Sequence, residues 1–231
     1  MRSYLLANWK SHKTLAEAET WLEKFSRSHR PDPQLQVIIA PPAPFLIPLW
    51  RKLRTMGLAD VALAMQDLSP FPLGSYTGGV AAAMVRDFAE YAIVGHSERR
   101  RYFHETHQEV ANKVAEAIGA GIMPIVCLDL PYAREQLAAM EEQDLAQLII
   151  GYGPVEAVGI EMPQSFAKAG EAIAAIRAMA PDAPILYGGS INAKNAGEYR
   201  TLAGISGLMV GTASLEPEEF GAIGRTLCSG G

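Results

Sequence analysis

Short apolar runs alternate along the chain with longer stretches in which apolar residues recur at helical spacing. The short runs predict eight strands: 4–8, 37–40, 60–65, 91–95, 122–127, 147–152, 185–188 and 206–210. The longer stretches predict eight helices: 14–29, 43–56, 79–88, 105–119, 131–143, 164–180, 192–201 and 216–227. Thr14, followed by Glu17, is expected to cap the first helix, and Asn192 is expected to open the seventh.

The regular alternation of strand and helix predicts a parallel sheet with helices packed against it. Runs such as 122–127 are apolar almost throughout, which suits strands that are buried on both faces. Eight strand–helix units are the number that closes a (β/α)₈ TIM barrel, expected here as one domain over residues 1–231. A doubly wound open sheet is the alternative, but no Gly-x-Gly-x-x-Gly follows the first strand.

The composition of the chain argues against nucleic-acid and membrane partners. The 231 residues are 49% hydrophobic and carry a net charge of −5, so we do not expect a nucleic-acid partner. No apolar run approaches the ~20 residues of a membrane span, and the first residues lack the apolar run of a signal peptide. Cys127 and Cys228 have no metal-ligand spacing, and so few cysteines favour a reducing cytoplasm.

Chemically active side chains follow directly after four predicted strands, which in a barrel end on the same face. They are Asn8-Trp9-Lys10, His96-Ser97-Glu98-Arg99, Gly188-Gly189-Ser190 and Gly211-Thr212-Ala213-Ser214. The last two are turns of the kind whose backbone N–H groups bind phosphate. Lys10 would neutralise negative charge, and His96 would polarise a carbonyl or shuttle a proton. Each motif alone is more often a solvated lysine, a structural histidine or a plain turn; together they favour a phosphate-binding active site.

These motifs resemble those of the triosephosphate isomerase family over nearly the whole chain and in the same order. Besides the four above, they are Gln66-Asp67-Leu68-Ser69-Pro70-Phe71, Tyr76-Thr77-Gly78, Pro124-Ile125-Val126-Cys127 and Val210-Gly211. The resemblance implies a barrel, a homodimer formed through residues 69–79, and interconversion of dihydroxyacetone phosphate and glyceraldehyde 3-phosphate in glycolysis and gluconeogenesis. The reaction would pass through an enediol(ate) and need no cofactor or metal.

The resemblance also assigns roles to individual residues. Lys10 would stabilise the enediolate and the phosphate, Asn8 would place Lys10, and His96 would bind substrate oxygens as a neutral imidazole. Glu98 would orient these groups. Backbone N–H groups would bind the phosphate, from Gly159, Ser190, Gly211 and Thr212. The family is itself a standard example of a glutamate base working with a neutral histidine.

The sequence departs from the family where that glutamate should stand, at the end of the sixth strand. Gly153 occupies the position, and glycine cannot take a proton. Glu156, three residues later, is the nearest carboxylate that could substitute, although short-lid relatives carry a glutamate there as well. The lid after this strand is short, and Asp129 follows Cys127 in place of a Gly-Glu pair. Gly79 replaces a glutamate, which predicts that Arg99 lacks its usual partner.

Three interpretations of Gly153 remain open at this point. Glu156 acts as the base; or the chain is an isomerase or binder of a related sugar phosphate; or Gly153 is an inactivating change, natural or engineered, in an ordinary isomerase. A different class of function also remains open, in which the chain is a non-catalytic scaffold that senses a phosphorylated metabolite. All of them predict a small phosphorylated sugar as the ligand.

Overall fold

Eight parallel strands close into a barrel in the computed structural model, which describes residues 2–154 and 163–228. The strands are β1 (Ser3–Asn8), β2 (Leu35–Ala40), β3 (Val61–Met65), β4 (Tyr91–Val94), β5 (Met123–Leu128), β6 (Ile149–Tyr152), β7 (Ile185–Tyr187) and β8 (Gly207–Val210). Each pairs with the next in sequence, and β8 pairs with β1 so that Val210 lies beside Ala7. The predicted (β/α)₈ fold class and all eight predicted strands are confirmed.

Successive residues of each strand point in turn to the barrel interior and to the surrounding helices. Both sides are buried, which explains why the strands are apolar throughout. On β1, Leu6 belongs to the interior cluster, whereas its neighbours Leu5 and Ala7 pack in the outer layer. The interior is closed by apolar side chains, among them Ala62, Ile93, Ile125, Ile149, Leu186 and Met209. The barrel centre is therefore a packed core, and open space for a ligand lies at the strand ends.

The helices lie outside the strands. They are α1 (Leu15–Ser28), α2 (Leu46–Thr55), α3 (Ala82–Val85), α4 (Ser97–Tyr102), α5 (His107–Gly119), α6 (Ala133–Ala138), α7 (Glu142–Leu145), α8 (Phe166–Met179), α9 (Ala196–Tyr199) and α10 (Pro217–Cys228). The predicted cap of α1 is present: the Glu17 N–H donates to Thr14 Oγ1, and the Thr14 N–H donates to Glu17 Oε2. None of the helices among the described residues is long and apolar enough to span a membrane.

Three predicted helical regions differ from the structure, and a fourth helix was not predicted. The 79–88 stretch holds only α3, and the 131–143 stretch divides into a 3₁₀ turn and two short helices, α6 and α7. Within 192–201 only α9 is helical, because the Asn192 side chain accepts from the N–H groups of Lys194 and Asn195 and forms a turn instead. Helix α4 went unpredicted because it buries no side chain and so shows no apolar period.

Candidate active site

A cavity of about 700 Å³ opens at the carboxyl ends of the strands. Most of the side chains and turns predicted from the sequence line it: Asn8, Lys10, His96, Ser190, Gly211 and Thr212. Glu98 lies behind them in contact with Lys10. Gly159 and Glu156 lie outside the described residues, so the predictions made for them remain predictions.

Lys10 follows β1 in a strained backbone conformation that directs its amine to the cavity. Its φ is +52°, in the left-handed region that costs a residue with a Cβ about 1–2 kcal/mol. Asn8 Oδ1 accepts from the Lys10 N–H at 3.1 Å, and Gln66 Nε2 donates to the Lys10 carbonyl at 2.9 Å. The Lys10 ammonium then meets Glu98 Oε1 at 2.6 Å. Such strain persists where the surrounding contacts impose it, as they do here.

Gln66 therefore holds the backbone of Lys10, a role that the sequence analysis did not assign. Its amide also donates to the Ala40 carbonyl at 2.9 Å, so it ties the loop after β1 to the end of β2. The only sequence signal for this role was its place directly after β3, at the same end of the barrel.

His96 caps the N-terminus of α4 through its ring. The Glu98 N–H donates to His96 Nδ1 at 3.2 Å, so Nδ1 is the unprotonated nitrogen and Nε2 carries the hydrogen. Glu98 Oε2 lies 3.6 Å from the same Nδ1, beyond hydrogen-bond range, so the backbone N–H is the partner. Burial lowers the pKa of His96 against the opposing charge of Glu98. The ring is therefore a neutral hydrogen-bond donor at neutral pH.

The turns after β7 and β8 complete the opposite wall of the cavity. Ser190 has a φ of +50°, and Asn195 Nδ2 donates to its carbonyl at 3.1 Å. The Ser214 hydroxyl donates to the Gly211 carbonyl at 2.7 Å. A Cβ on Gly211 would lie 3.9 Å from Lys10 Cε, so this turn and the lysine border the same space. A positive charge beside tightly bent backbone suits an anion such as phosphate.

Among the described residues, Gly153 is the one that lines the cavity at the end of β6, and it brings no side chain. The neighbouring Cys127 is no substitute nucleophile or base, since burial raises the pKa of its thiol to about 12. Among residues 2–154 and 163–228, no three His, Cys, Asp or Glu side chains are grouped to hold a metal ion. The described site can bind an anion and polarise a carbonyl, with no carboxylate at the end of β6.

Arg99 has two acidic partners among the described residues, and neither is at position 79, where the family resemblance places a glutamate. Its guanidinium meets Asp67 Oδ2 at 2.7 Å and Glu105 Oε1 at 3.4 Å. Lys113 on α5 bonds the same two carboxylates, Asp67 at 2.7 Å and Glu105. Burial raises the pKa of Asp67 although both cations oppose it. The network joins the loop after β3 to α4 and α5, and thus supports the helix that His96 caps.

The comparisons with known proteins agree with this arrangement. The family profile described as Triosephosphate isomerase matches residues 3–227. Similar proteins include one named triosephosphate isomerase from Dehalococcoides mccartyi strain BAV1, 36% identical over 97% of this chain and 96% of its own length. A protein of the same name from Herminiimonas arsenicoxydans is 35% identical over 97% of this chain and 99% of its own length. Another, from Synechococcus sp. strain JA-3-3Ab, is 36% identical over 96% of this chain and 94% of its own length. On these matches the chain belongs to the triosephosphate isomerase family.

Proposed function

We propose that the site binds a triose phosphate and interconverts dihydroxyacetone phosphate and glyceraldehyde 3-phosphate through an enediol(ate), at a rate limited by Gly153. The observation that carries this proposal is the pairing of a neutral His96 with the Lys10 ammonium at the mouth of the barrel. A neutral imidazole donates a hydrogen bond to a carbonyl oxygen, and the ammonium stabilises the charge that develops there.

Two further residues, Asn8 and Glu98, position Lys10 and His96. Asn8 holds the Lys10 backbone, and Glu98 bonds the ammonium and, through its own N–H, the His96 ring. The substrate phosphate binds beside Lys10 to backbone N–H groups of Ser190, Gly211 and Thr212, with Gly159 as the fourth donor that the family resemblance assigns.

Gly153 favours a second candidate function, in which the cavity binds a phosphorylated sugar with little or no turnover. General-base catalysis contributes about 10²–10⁴-fold to a rate, and its loss leaves binding intact. Such a chain would be a non-catalytic sensor of a phosphorylated metabolite, or an isomerase of a related sugar phosphate.

Two measurements on the purified chain separate these functions: isomerase turnover of glyceraldehyde 3-phosphate, and binding of glycerol 3-phosphate, which cannot be isomerised. Binding together with slow turnover supports the isomerase. Binding without any turnover supports the sensor. Failure to bind glycerol 3-phosphate at millimolar concentration contradicts both functions.

Glu156 is tested separately as a replacement base. Glu156→Gln removes the carboxylate and keeps the size of the side chain, so unchanged turnover excludes the replacement. A loss of about 10²-fold or more would assign the proton transfer to Glu156.

We also propose a homodimer formed through residues 69–79, in a reducing cytoplasm. Phe71, Leu73 and Tyr76 of this loop are exposed although apolar, and the rings of Phe71 and Tyr76 stack at 4.5 Å. The loop borders a cavity of about 630 Å³ with Phe103 on its wall. Exposed apolar side chains beside a cavity suit insertion of the same loop from a second copy.

A further inference from the structure

The 3₁₀ turn that follows β8, Thr212–Leu215, is bonded at its last two carbonyls by side chains that are distant in sequence. Lys13 Nζ, from the loop after β1, donates to the Leu215 carbonyl at 2.8 Å. Trp21 Nε1, from α1, donates to the Ser214 carbonyl at 3.1 Å. Carbonyls at the end of a helical turn have no partner within the turn, so these two donors complete its hydrogen bonding.

Lys13 makes this contact at an energetic cost. Its φ is +73°, in the left-handed region that glycine adopts without strain. It directly precedes Thr14, the cap of α1, so the chain has to bend at this residue before the helix begins. Burial also lowers the pKa of the Lys13 amine, although Glu216 and Glu17 oppose the shift. A strained and partly desolvated lysine at a bend that suits glycine indicates that the amine itself has a use.

The same ammonium lies beside the residue that precedes Lys10. Lys13 Nζ is 5.4 Å from the centre of the Trp9 ring, within the range of a cation–π contact. The Trp9 ring in turn packs edge-on against Trp21, with the ring centroids 4.9 Å apart, and both rings are buried. One packed cluster therefore connects the backbone next to Lys10 with the turn after β8, and close-packed interiors transmit displacement from one side to the other.

This connection matters for phosphate binding, because the proposed phosphate site combines the Lys10 ammonium with N–H groups of Gly211 and Thr212. The turn lines the cavity, whereas Lys13 is not among the described residues that line it, so Lys13 would act through the turn. Hydrogen bonds weaken steeply when the donor is displaced or tilted. Donors that are already held in place also avoid the cost of being ordered when the ligand binds.

We propose that Lys13 and Trp21 are positioning residues for phosphate binding. They hold the turn after β8 in place against the loop that carries Lys10, so that the N–H groups of the turn and the Lys10 ammonium meet the same phosphate. This inference rests on the proposed function for the ligand itself. It adds two residues that determine how tightly the phosphate is bound without contacting it.

The test is calorimetric titration of the whole chain with glycerol 3-phosphate. Lys13→Met keeps the length of the side chain and removes the amine, so the dissociation constant should rise about tenfold because the turn is no longer held. Lys13→Arg retains a donor for the Leu215 carbonyl and should bind within about threefold of the unmodified chain. Lys194→Met is the matched control for charge, since it removes an exposed ammonium between β7 and α9, and its affinity should stay close to that of the unmodified chain.

The outcomes separate this inference from the proposed function. If the unmodified chain does not bind glycerol 3-phosphate, both fail. If it binds and a folded Lys13→Met binds as tightly, the positioning role is overturned and the proposed function stands. That result would also identify Lys13 as a purely structural residue, whose loss lowers stability and leaves the affinity of the folded protein unchanged. Equal weakening in Lys13→Met and Lys194→Met would assign the effect to charge, and an Lys13→Arg that binds as weakly as Lys13→Met would contradict the role of the donor.

Trp21→Phe provides a second variant with the charge unchanged. It keeps an aromatic ring beside Phe25, which stacks on Trp21 at 5.0 Å, and removes the donor to the Ser214 carbonyl. Its dissociation constant should rise about threefold or more. Trp50→Phe is the control, because Trp50 packs on Phe88 beside α2 and does not contact the turn. Should Lys13→Met not fold, this pair decides the question: equal affinities of Trp21→Phe and Trp50→Phe overturn the proposal.

Discussion

At the scale of single residues, this site retains the groups that stabilise negative charge and has glycine where the family resemblance places a base. Lys10 meets Glu98 at 2.6 Å, and His96 keeps a donor free by accepting at Nδ1. Carbonyl polarisation and proton removal are separate contributions to isomerisation. In the proposed function Lys10 and His96 supply carbonyl polarisation, whereas proton removal depends on which residue stands at the end of β6.

Gly153→Glu should therefore raise isomerase turnover by about 10²–10⁴-fold, because it supplies a carboxylate at the end of β6. The measurement is steady-state turnover of glyceraldehyde 3-phosphate. Gly153→Gln is the matched control, since it adds the same bulk without a basic oxygen and should leave turnover low. Equal rates in the two variants would contradict the assignment of the missing base.

His96 should make the stability of the fold depend on pH below its ordinary pKa of 6.5. Burial lowers the pKa of the folded state, so the unfolded chain binds the proton first and the free energy of unfolding falls as pH drops below about 6.5. Urea unfolding between pH 5 and 7.5 measures this, and His96→Gln should show a smaller decline. If the free energies of unfolding of the unmodified chain and of His96→Gln decline in parallel, then His96 takes up its proton equally in the folded and the unfolded state.

At the scale of elements, the short helix α4 depends on its neighbours because none of its residues is fully buried. Arg99 connects it to Asp67 after β3 and to Glu105 before α5, and Lys113 shares both carboxylates. Lys113 is only 3% exposed, so this network is a buried one. Buried networks of this kind are sensitive to the loss of one partner.

Lys113→Met should lower the free energy of unfolding by about 3–5 kcal/mol, because it leaves the buried Glu105 and the half-buried Asp67 with one cation fewer. Chemical denaturation measures the change. Lys52→Met is the comparison, since Lys52 bonds the exposed Glu23 in a surface pair and its loss should change stability little. If the two variants unfold alike, the network does not stabilise α4 and α5.

How far the sequence predicts these elements depends on whether they bury an apolar face. Helix α1 shows its buried residues at helical spacing and carries a capping box, so its prediction was correct within a residue at each end. Helix α4 has no such face, and α9 starts late because Asn192 forms a turn. In the site, Lys10 and His96 followed from their place after strands. Gln66 acts through contacts between loops that are distant in sequence, which periodicity does not show.

At the scale of the whole molecule, the closed barrel removes every strand edge, so any assembly must use loops and helices. The loop 69–79 is the clearest such surface, with Leu73 60% exposed. Its neighbours on the cavity wall, Asp67, Arg99 and Glu105, belong to the buried network. A second copy bound on this face would therefore cover the ion-pair network that holds α4, the helix that His96 caps.

Leu73→Glu should leave the chain monomeric if the proposed dimer forms, because a carboxylate buried at that interface has no partner and loses its hydration. Light scattering at micromolar concentration measures the mass of both proteins. Met84→Glu provides the control, since Met84 is also exposed and apolar but lies on α3, outside the loop. A monomeric unmodified chain, or a Leu73→Glu variant that stays dimeric, would refute this interface.

Two of the residues that line the cavity, Lys10 and Ser190, have left-handed backbones. Each lowers the stability of the fold, and a glycine or asparagine at either position would relieve the strain. Mutation alone would let such positions drift to the relaxed residue if nothing depended on them. If the ammonium and the hydroxyl at these two positions bind the ligand, then Lys10→Gly and Ser190→Gly should each stabilise the fold and weaken ligand binding.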